Sequence, residues 1–204
     1  MIKTFIIHVS KGYEERKEHI ERHLPQRGIT EFEYMLKGDI DDLSDEIRNE
    51  FFRPSMHLPA KSCFYKHYLV MKRVVTEGIP QVLVLEDDAI LDPGFCHHLD
   101  NILEELEGQS GYIVNLEEAS SLVPIRSRKK GQSLYLAEIN KLTGGLVYDL
   151  EYAKKMVNYI ESAIQQSPID RTIGEARHSI QANLYWVHPP LSGKGVKVVC
   201  FPVS

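Results

Sequence analysis

Val82-Leu83-Val84-Leu85 runs directly into Glu86-Asp87-Asp88-Ala89. Four consecutive apolar residues with no polar alternation describe a strand buried on both faces. Such strands belong to parallel sheets covered by helices, and ligands of those sheets bind outside the carboxyl ends of the strands. Three adjacent acids at that end repel one another and resist ionisation unless positive charge sits among them. A divalent cation supplies that charge, and Mg²⁺ or Mn²⁺ takes oxygen ligands while leaving room for water and substrate phosphate. Residues i and i+2 of an extended segment point the same way. Glu86 and Asp88 can therefore share one face as metal ligands, with Asp87 turned aside. The plainer alternative is a strand end with solvated acids, or Asp87 and Asp88 capping the next helix.

Working outward, the strongest helical pattern lies just upstream, over 61–77, where Phe64, Tyr68, Met71 and Val75 share a face. Gly78 and Pro80 stop it. The chain opens with an apolar, β-branched run over 4–9, a further buried strand, then turns at Ser10-Lys11-Gly12. A charged helix over 13–24, ended by Pro25 and Gly28, and a second strand over 32–36 follow. Residues 41–52 read as an acidic helix. Downstream, a helix over 95–106 precedes a strand over 112–116. Strands are expected over 134–137, 146–148, 184–187 and 196–201, a helix over 150–163, and an irregular or weakly helical segment over 168–178. Strands alternate with helices first and dominate later. The expectation is a single α/β domain over 1–204 with a mainly parallel, partly mixed central sheet.

The 204 residues suit one sizeable domain. The net charge of -5 argues against a nucleic-acid partner, which would call for a basic surface. No apolar run has the length of a bilayer span, and the first residues lack the pattern of a signal peptide. Cys63, Cys96 and Cys200 are few, odd in number and far apart, which suits core hydrophobes in a reducing compartment.

Several segments, taken in order, resemble glycosyltransferase family 25, which includes bacterial lipooligosaccharide and collagen galactosyltransferases. Leu83-Val84-Leu85-Glu86-Asp87-Asp88-Ala89 with Asp92-Pro93-Gly94-Phe95 carries the resemblance first. Phe5-Ile6-Ile7-His8-Val9 with Glu15-Arg16 is similar to the opening strand and its Glu-Arg pair. Cys63-Phe64-Tyr65-Lys66-His67 is similar to a Cys-x-x-Ser-His segment, with Lys66 in place of the usual serine. Ala60-Lys61 stands where Gly-Glu is frequent. Thr143-Gly144-Gly145-Leu146-Val147-Tyr148, Pro168-Ile169-Asp170 and Pro189-Pro190-Leu191 complete the set.

The resemblance implies a GT-A-like fold and an inverting single displacement. It implies a UDP-sugar donor, with galactose favoured, and a saccharide acceptor on a bacterial surface glycolipid. It also implies a divalent metal, Mn²⁺ or Mg²⁺, and a cytoplasmic place at the inner membrane face. Asp170, matching Pro-x-Asp, is the first choice for the base that takes the acceptor proton, and it reads equally as a helix cap. Glu117 and Glu118, following the strand over 112–116, are the runners-up. Ser10, Arg16, His67, Glu86 and Asp87 are expected around the donor, and Glu86 and Asp88 at the metal. Arg16 reads either as a phosphate partner or as an exposed helix arginine among glutamates. His67 reads as a buried histidine that orients a neighbour or lines the cleft. Arg126, Arg128, Lys129 and Lys130 form a basic loop, either simply solvated or touching an anionic glycolipid or membrane surface. Ser192-Gly193-Lys194-Gly195 reads as a flexible basic segment able to close over a diphosphate. Two rivals stand beside this reading: a metal-dependent nucleotidyltransferase, and a non-catalytic relative that binds a sugar or a protein.

Overall fold

The computed structural model describes residues 2–119 and 123–194. The strand expected over 196–201, together with Gly195 and Cys200, lies outside them.

Among the described residues, nine strands and five α-helices follow one another as β1 (Lys3–Ile7), α1 (Glu14–Gln26), β2 (Glu33–Met35), α2 (Leu58–Glu77), β3 (Gln81–Glu86), β4 (Ala89–Leu91), α3 (Phe95–Glu105), β5 (Tyr112–Asn115), β6 (Leu134–Leu136), β7 (Gly145–Asp149), α4 (Leu150–Glu161), α5 (Ile169–Ala176), β8 (Asn183–Val187) and β9 (Ser192–Lys194). Seven of the strands form one sheet in the order β2-β1-β3-β7-β5-β8-β6. β2, β1 and β3 are mutually parallel, as are β5 and β8. β7 runs antiparallel between β3 and β5, and β6 antiparallel to β8 at the edge. The sheet is therefore mainly parallel and mixed, as expected.

The apolar runs earn their central places by having two buried faces. Phe5, Ile7, Val82, Val84, Ile113, Leu146 and Tyr148 pack on one face, under Phe64 and Met71 of α2, Met156 and Ile160 of α4 and Ile173 of α5. Ile6, Leu83, Leu85, Val114 and Val147 alternate onto the other, under Ile20 and Leu24 of α1 and Phe95, Leu99 and Ile102 of α3. Among the described residues, no helix is long and apolar enough to cross a membrane.

Three local expectations are corrected. Residues 41–52 do not make one helix. A 3-10 turn, Ile40–Asp42, is closed by an Asp39/Asp42 capping box, and the chain extends at Leu43 before a π turn at Ile47–Phe51. Short polar side chains there bind backbone N–H groups themselves: Asp42 accepts from Gly38 and Asp39, and Ser44 Oγ from Ile47. The segment after Pro168 is a regular helix, α5, with Thr172, Ile169 and Ile173 buried. Gly174 lies inside it because the Asn140 backbone passes 3.0 Å from where a Cβ would sit. Third, α1 continues through Pro25 to Gln26, two residues beyond the expected stop.

β4 and β9 form a separate two-stranded ribbon, which no local pattern announced. Their register sets Lys194 opposite Ala89, one residue beyond Asp88. This ribbon folds the tail of the described chain back over the acidic end of β3.

Candidate functional site

β1, β3, β5 and β8 all end on the same side of the sheet, and the antiparallel β7 begins there. His8, Glu86, Glu117 and Thr143 therefore meet although they are scattered along the chain. The cleft lies where the fold class places ligands.

The three acids after β3 part company. Asp87, in the turn between β3 and β4, faces β1 and α1. His8 Nδ1 is 2.7 Å from its Oδ2, and Arg16 donates to its Oδ1 at 3.0 Å. The same Arg16 nitrogen lies 3.4 Å from Asp88 Oδ2, and its guanidinium stacks 4.9 Å from the centre of the Tyr13 ring. Arg16 is thus a clamp on two acids rather than a free helix arginine.

Glu86 turns the other way. Thr143 donates its hydroxyl to Oε1 at 2.6 Å, and Lys194 donates to Oε2 at 3.2 Å. His67 Nε2 stands 3.6 Å from Oε1. Burial pushes this carboxyl up, but His67, Lys194 and Thr143 outweigh it and hold it down at about 2. Asp88 has fewer partners. Burial first, then the charge of Glu86, raises its pKa, and its Oδ1 is buried without a hydrogen-bond partner among the described residues.

Glu117 is 2% exposed. The Gly144 N–H donates to its Oε2 at 2.6 Å, while Oε1 is buried and unpartnered among the described residues. Burial raises its carboxyl to about 7, against the pull of the Gly144 N–H and of Lys194. The glycine is required: a Cβ on Gly144 would stand 2.8 Å from Glu117 Oε2, and one on Gly145 would stand 2.6 Å from Ser192 Oγ. Lys194 serves three acids. Burial lowers its pKa, but Glu86, Asp88 and Glu117 together carry it up to about 12.

The remaining expected residues sit as follows. Ser10 is exposed, and its N–H donates to Asp39 at 3.0 Å. Asp170 lies in the first turn of α5, half-buried, with one oxygen 3.4 Å from the Leu142 N–H. Glu118 follows Glu117 and donates its N–H to the Ser192 carbonyl at 2.7 Å. Glu86 binds Lys194 directly and the charges of Asp88 and Glu117 act on the same ammonium, while the charge of Asp170 acts on Cys63, beside Glu86.

Residues not singled out for these roles complete the cleft. His8, Thr143 and Lys194 each bind one of the acids. Cys63 Sγ is 3.9 Å from Glu86 Oε1. Lys66 is 1% exposed, with its ammonium 2.8 Å from Asp39 Oδ1 and 2.8 Å from the Leu36 carbonyl. It fastens the loop whose Asp39 holds Ser10. Their signals in the sequence were the position of His8 at a strand end, the Thr-Gly-Gly run, the basic Ser192-Gly193-Lys194 segment and the Cys63-Phe64-Tyr65-Lys66-His67 segment.

The chain matches the family model described as "Glycosyltransferase family 25 (LPS biosynthesis protein)" over residues 1–173. It is 25% identical over 168 residues to the lipooligosaccharide biosynthesis protein lic2B of Haemophilus influenzae, covering 77% of this chain and 63% of that one. It is 29% identical over 122 residues to the lacto-N-neotetraose biosynthesis glycosyltransferase LgtE of Neisseria gonorrhoeae, covering 56% and 44%. A 47-residue stretch is 40% identical to a Bos taurus protein named "probable inactive glycosyltransferase 25 family member 3", covering 23% of this chain and 8% of that protein. The chain spans less than two thirds of the length of each of these relatives. The family model takes in β1, the acidic turn after β3, the Thr-Gly-Gly start of β7 and Asp170, and on that match the chain belongs to glycosyltransferase family 25.

Proposed function

We propose that this chain transfers a hexose, galactose in the first instance, from a UDP-sugar to a saccharide acceptor on a bacterial surface glycolipid, with inversion. The observation that carries the reading is that the charges of Glu86, Asp88 and Glu117 converge on Lys194 at the sheet's carboxyl edge, with one oxygen each of Asp88 and Glu117 buried and unpartnered among the described residues. Three carboxylates facing one ammonium leave an excess of negative charge that a divalent ion would balance. Hard carboxylate oxygens suit Mg²⁺ or Mn²⁺, so Asp88 and Glu86 would hold the ion. When bound, it neutralises charge on the departing diphosphate.

The chain's own groups account for the rest. Glu117, raised to about 7 by burial, is a carboxyl poised to accept the proton of an acceptor hydroxyl at neutral pH. That oxygen then bonds to the anomeric carbon from the face opposite the diphosphate, and the bond to the diphosphate breaks, releasing UDP. Lys194 supplies positive charge beside the acids, and Arg16 holds Asp87 and Asp88 in place. Asp170, the first choice from the sequence, becomes the alternative base; Glu117 is preferred here because it is buried with its carboxyl raised beside Glu86 and Asp88.

The test is calorimetric titration of UDP with and without Mn²⁺, on the wild type and on Asp88→Ala. Metal-dependent binding, weakened at least tenfold by the substitution, is the expected outcome. Absence of binding to any nucleotide diphosphate with metal present would sink the reading and favour a non-catalytic relative. UDP-sugar hydrolysis or nucleotide exchange without an acceptor would favour a nucleotidyltransferase.

The acceptor is expected at a lipid surface. Ile125 is 81% and Leu136 71% exposed, unusual for large apolar residues, and Arg126, Arg128, Lys129 and Lys130 lie beside them in sequence. Apolar insertion together with basic charge is the recipe for peripheral binding to anionic bilayers. Sedimentation with phosphatidylglycerol vesicles should carry the protein down, phosphatidylcholine vesicles should not, and glutamate at the four basic positions should abolish binding. Equal partition to both vesicles would refute the electrostatic contact.

A further inference from the structure

Cys63 and His67 are four residues apart on α2, so their side chains lie one above the other on one helix face. That face meets the end of β3, where Glu86 stands. Cys63 Sγ is 3.9 Å and His67 Nε2 3.6 Å from the same Glu86 oxygen, Oε1, and one ligand atom from each residue lies within 4.8 Å of the others. His67 is fully buried, and neither ring nitrogen has a hydrogen-bond partner among the described residues. Nε2 has only the long 3.6 Å approach to Glu86 and Nδ1 has no partner among the described residues, and a buried imidazole so poorly satisfied is costly and calls for an explanation. The other groups on Glu86 do not supply it: Thr143 and Lys194 each bind the carboxylate, not the ring.

A thiolate, an imidazole and a carboxylate make a donor set for zinc rather than for magnesium or manganese, which prefer oxygen alone. Zinc bonds of about 2.3 Å to sulfur and about 2.0 Å to nitrogen and oxygen place neighbouring tetrahedral ligands about 3.3–3.5 Å apart. The two distances to Glu86 exceed these by only a few tenths of an ångström, and the Cys63–His67 separation, within 4.8 Å, closes by a rotamer adjustment on the same helix face. Three protein ligands leave the fourth position open, as in exchangeable rather than permanently closed zinc sites.

We propose that Cys63, His67 and Glu86 form a zinc site on the α2 side of the cleft, separate from the oxygen site at Asp88. Glu86 belongs to both. Zinc held by the trio draws Glu86 away from the donor side and opposes nucleotide binding, a consequence that rests on the proposed function. The site itself does not.

Cobalt is the probe, since thiolate and tetrahedral coordination are visible in its spectrum. Titrating the protein with Co²⁺ should give a thiolate-to-cobalt charge-transfer band and intense tetrahedral visible bands, both removed by stoichiometric Zn²⁺. Cys63→Ser should abolish the charge-transfer band and His67→Gln should weaken Co²⁺ binding at least tenfold, with circular dichroism showing each variant folded. Asp88→Ala should leave the spectrum intact. A wild-type spectrum without a thiolate band, or one unchanged in Cys63→Ser, overturns the site. Loss of the spectrum in Asp88→Ala overturns its separateness. If the spectrum appears as described but UDP binds equally with and without Zn²⁺, the site stands and its link to the donor fails. Failure of UDP to bind under any condition touches the proposed function alone.

Discussion

Glu117→Gln is expected to lower sugar transfer by about 10²–10⁴-fold while leaving UDP binding nearly unchanged, because the amide keeps the shape and cannot take a proton. The wild-type rate should rise with pH and level off above about 7, where burial has placed the carboxyl. In Glu117→Gln that rise should disappear. Stability should move the opposite way. The folded-state pKa lies above the unfolded value of 4.5, so the folded protein holds this proton more tightly. Glu117 therefore weakens the fold progressively as pH rises from about 4.5 to about 7, and the deficit is complete above that. An uncharged glutamine escapes it, so the variant should be more stable than wild type by about 1–3 kcal/mol at pH 8 and little different at pH 4.5. Gly144→Ala provides the companion test, since the added methyl would displace the Glu117 carboxylate without removing it. Rate and pH profile measured on both variants decide the matter. A Glu117→Gln enzyme within tenfold of wild type, with its pH profile intact, would return the base role to Asp170.

The second large effect is expected at Lys66→Met. Its ammonium is sealed beneath the 35–39 loop, against Asp39 and the carbonyls of Met35, Leu36 and Lys37. Methionine fills a similar volume but leaves Asp39 and the Leu36 carbonyl without their cation. Lys66 is buried but Asp39 is partly exposed, so leaving Asp39 and the carbonyls without their cation costs about 1–3 kcal/mol. Urea unfolding should register that loss. Asp39→Asn together with Lys66→Met should cost less than the sum of the two singles, because both remove the same contact. UDP affinity should fall as well, since Asp39 holds the Ser10 N–H at the end of β1. A loss below about 1 kcal/mol would mean that the loop finds other partners.

Lys66 also shows where reading along the chain reaches its limit. Beside the family resemblance it is only a departure, a lysine where serine is usual. In the fold it is an internal cation whose partners lie 27 to 31 residues earlier. Glu117 teaches the same. A glutamate after a short strand carries no mark of burial, yet the Gly144 N–H reaches it across 27 residues. Asp170 carried the stronger local pattern and sits in the first turn of α5, whereas Glu117 lies among the acids.

The sequence by itself determined the buried strands, because runs such as Val82–Leu85 can only be covered on both faces. It determined α2 from its period, the placing of three acids at a strand's carboxyl end, and, through the ordered motifs, the family. Tertiary structure alone decided that β7 runs antiparallel between β3 and β5 and so delivers Thr143 and Gly144 to the acids. It also decided that β9 brings back Lys194, and that His67 and Cys63 face Glu86. The physical reason is that apolar periodicity is a local property, written within a few residues. Charge balance and hydrogen-bond satisfaction in a cleft belong to groups that meet only once the sheet has closed its order.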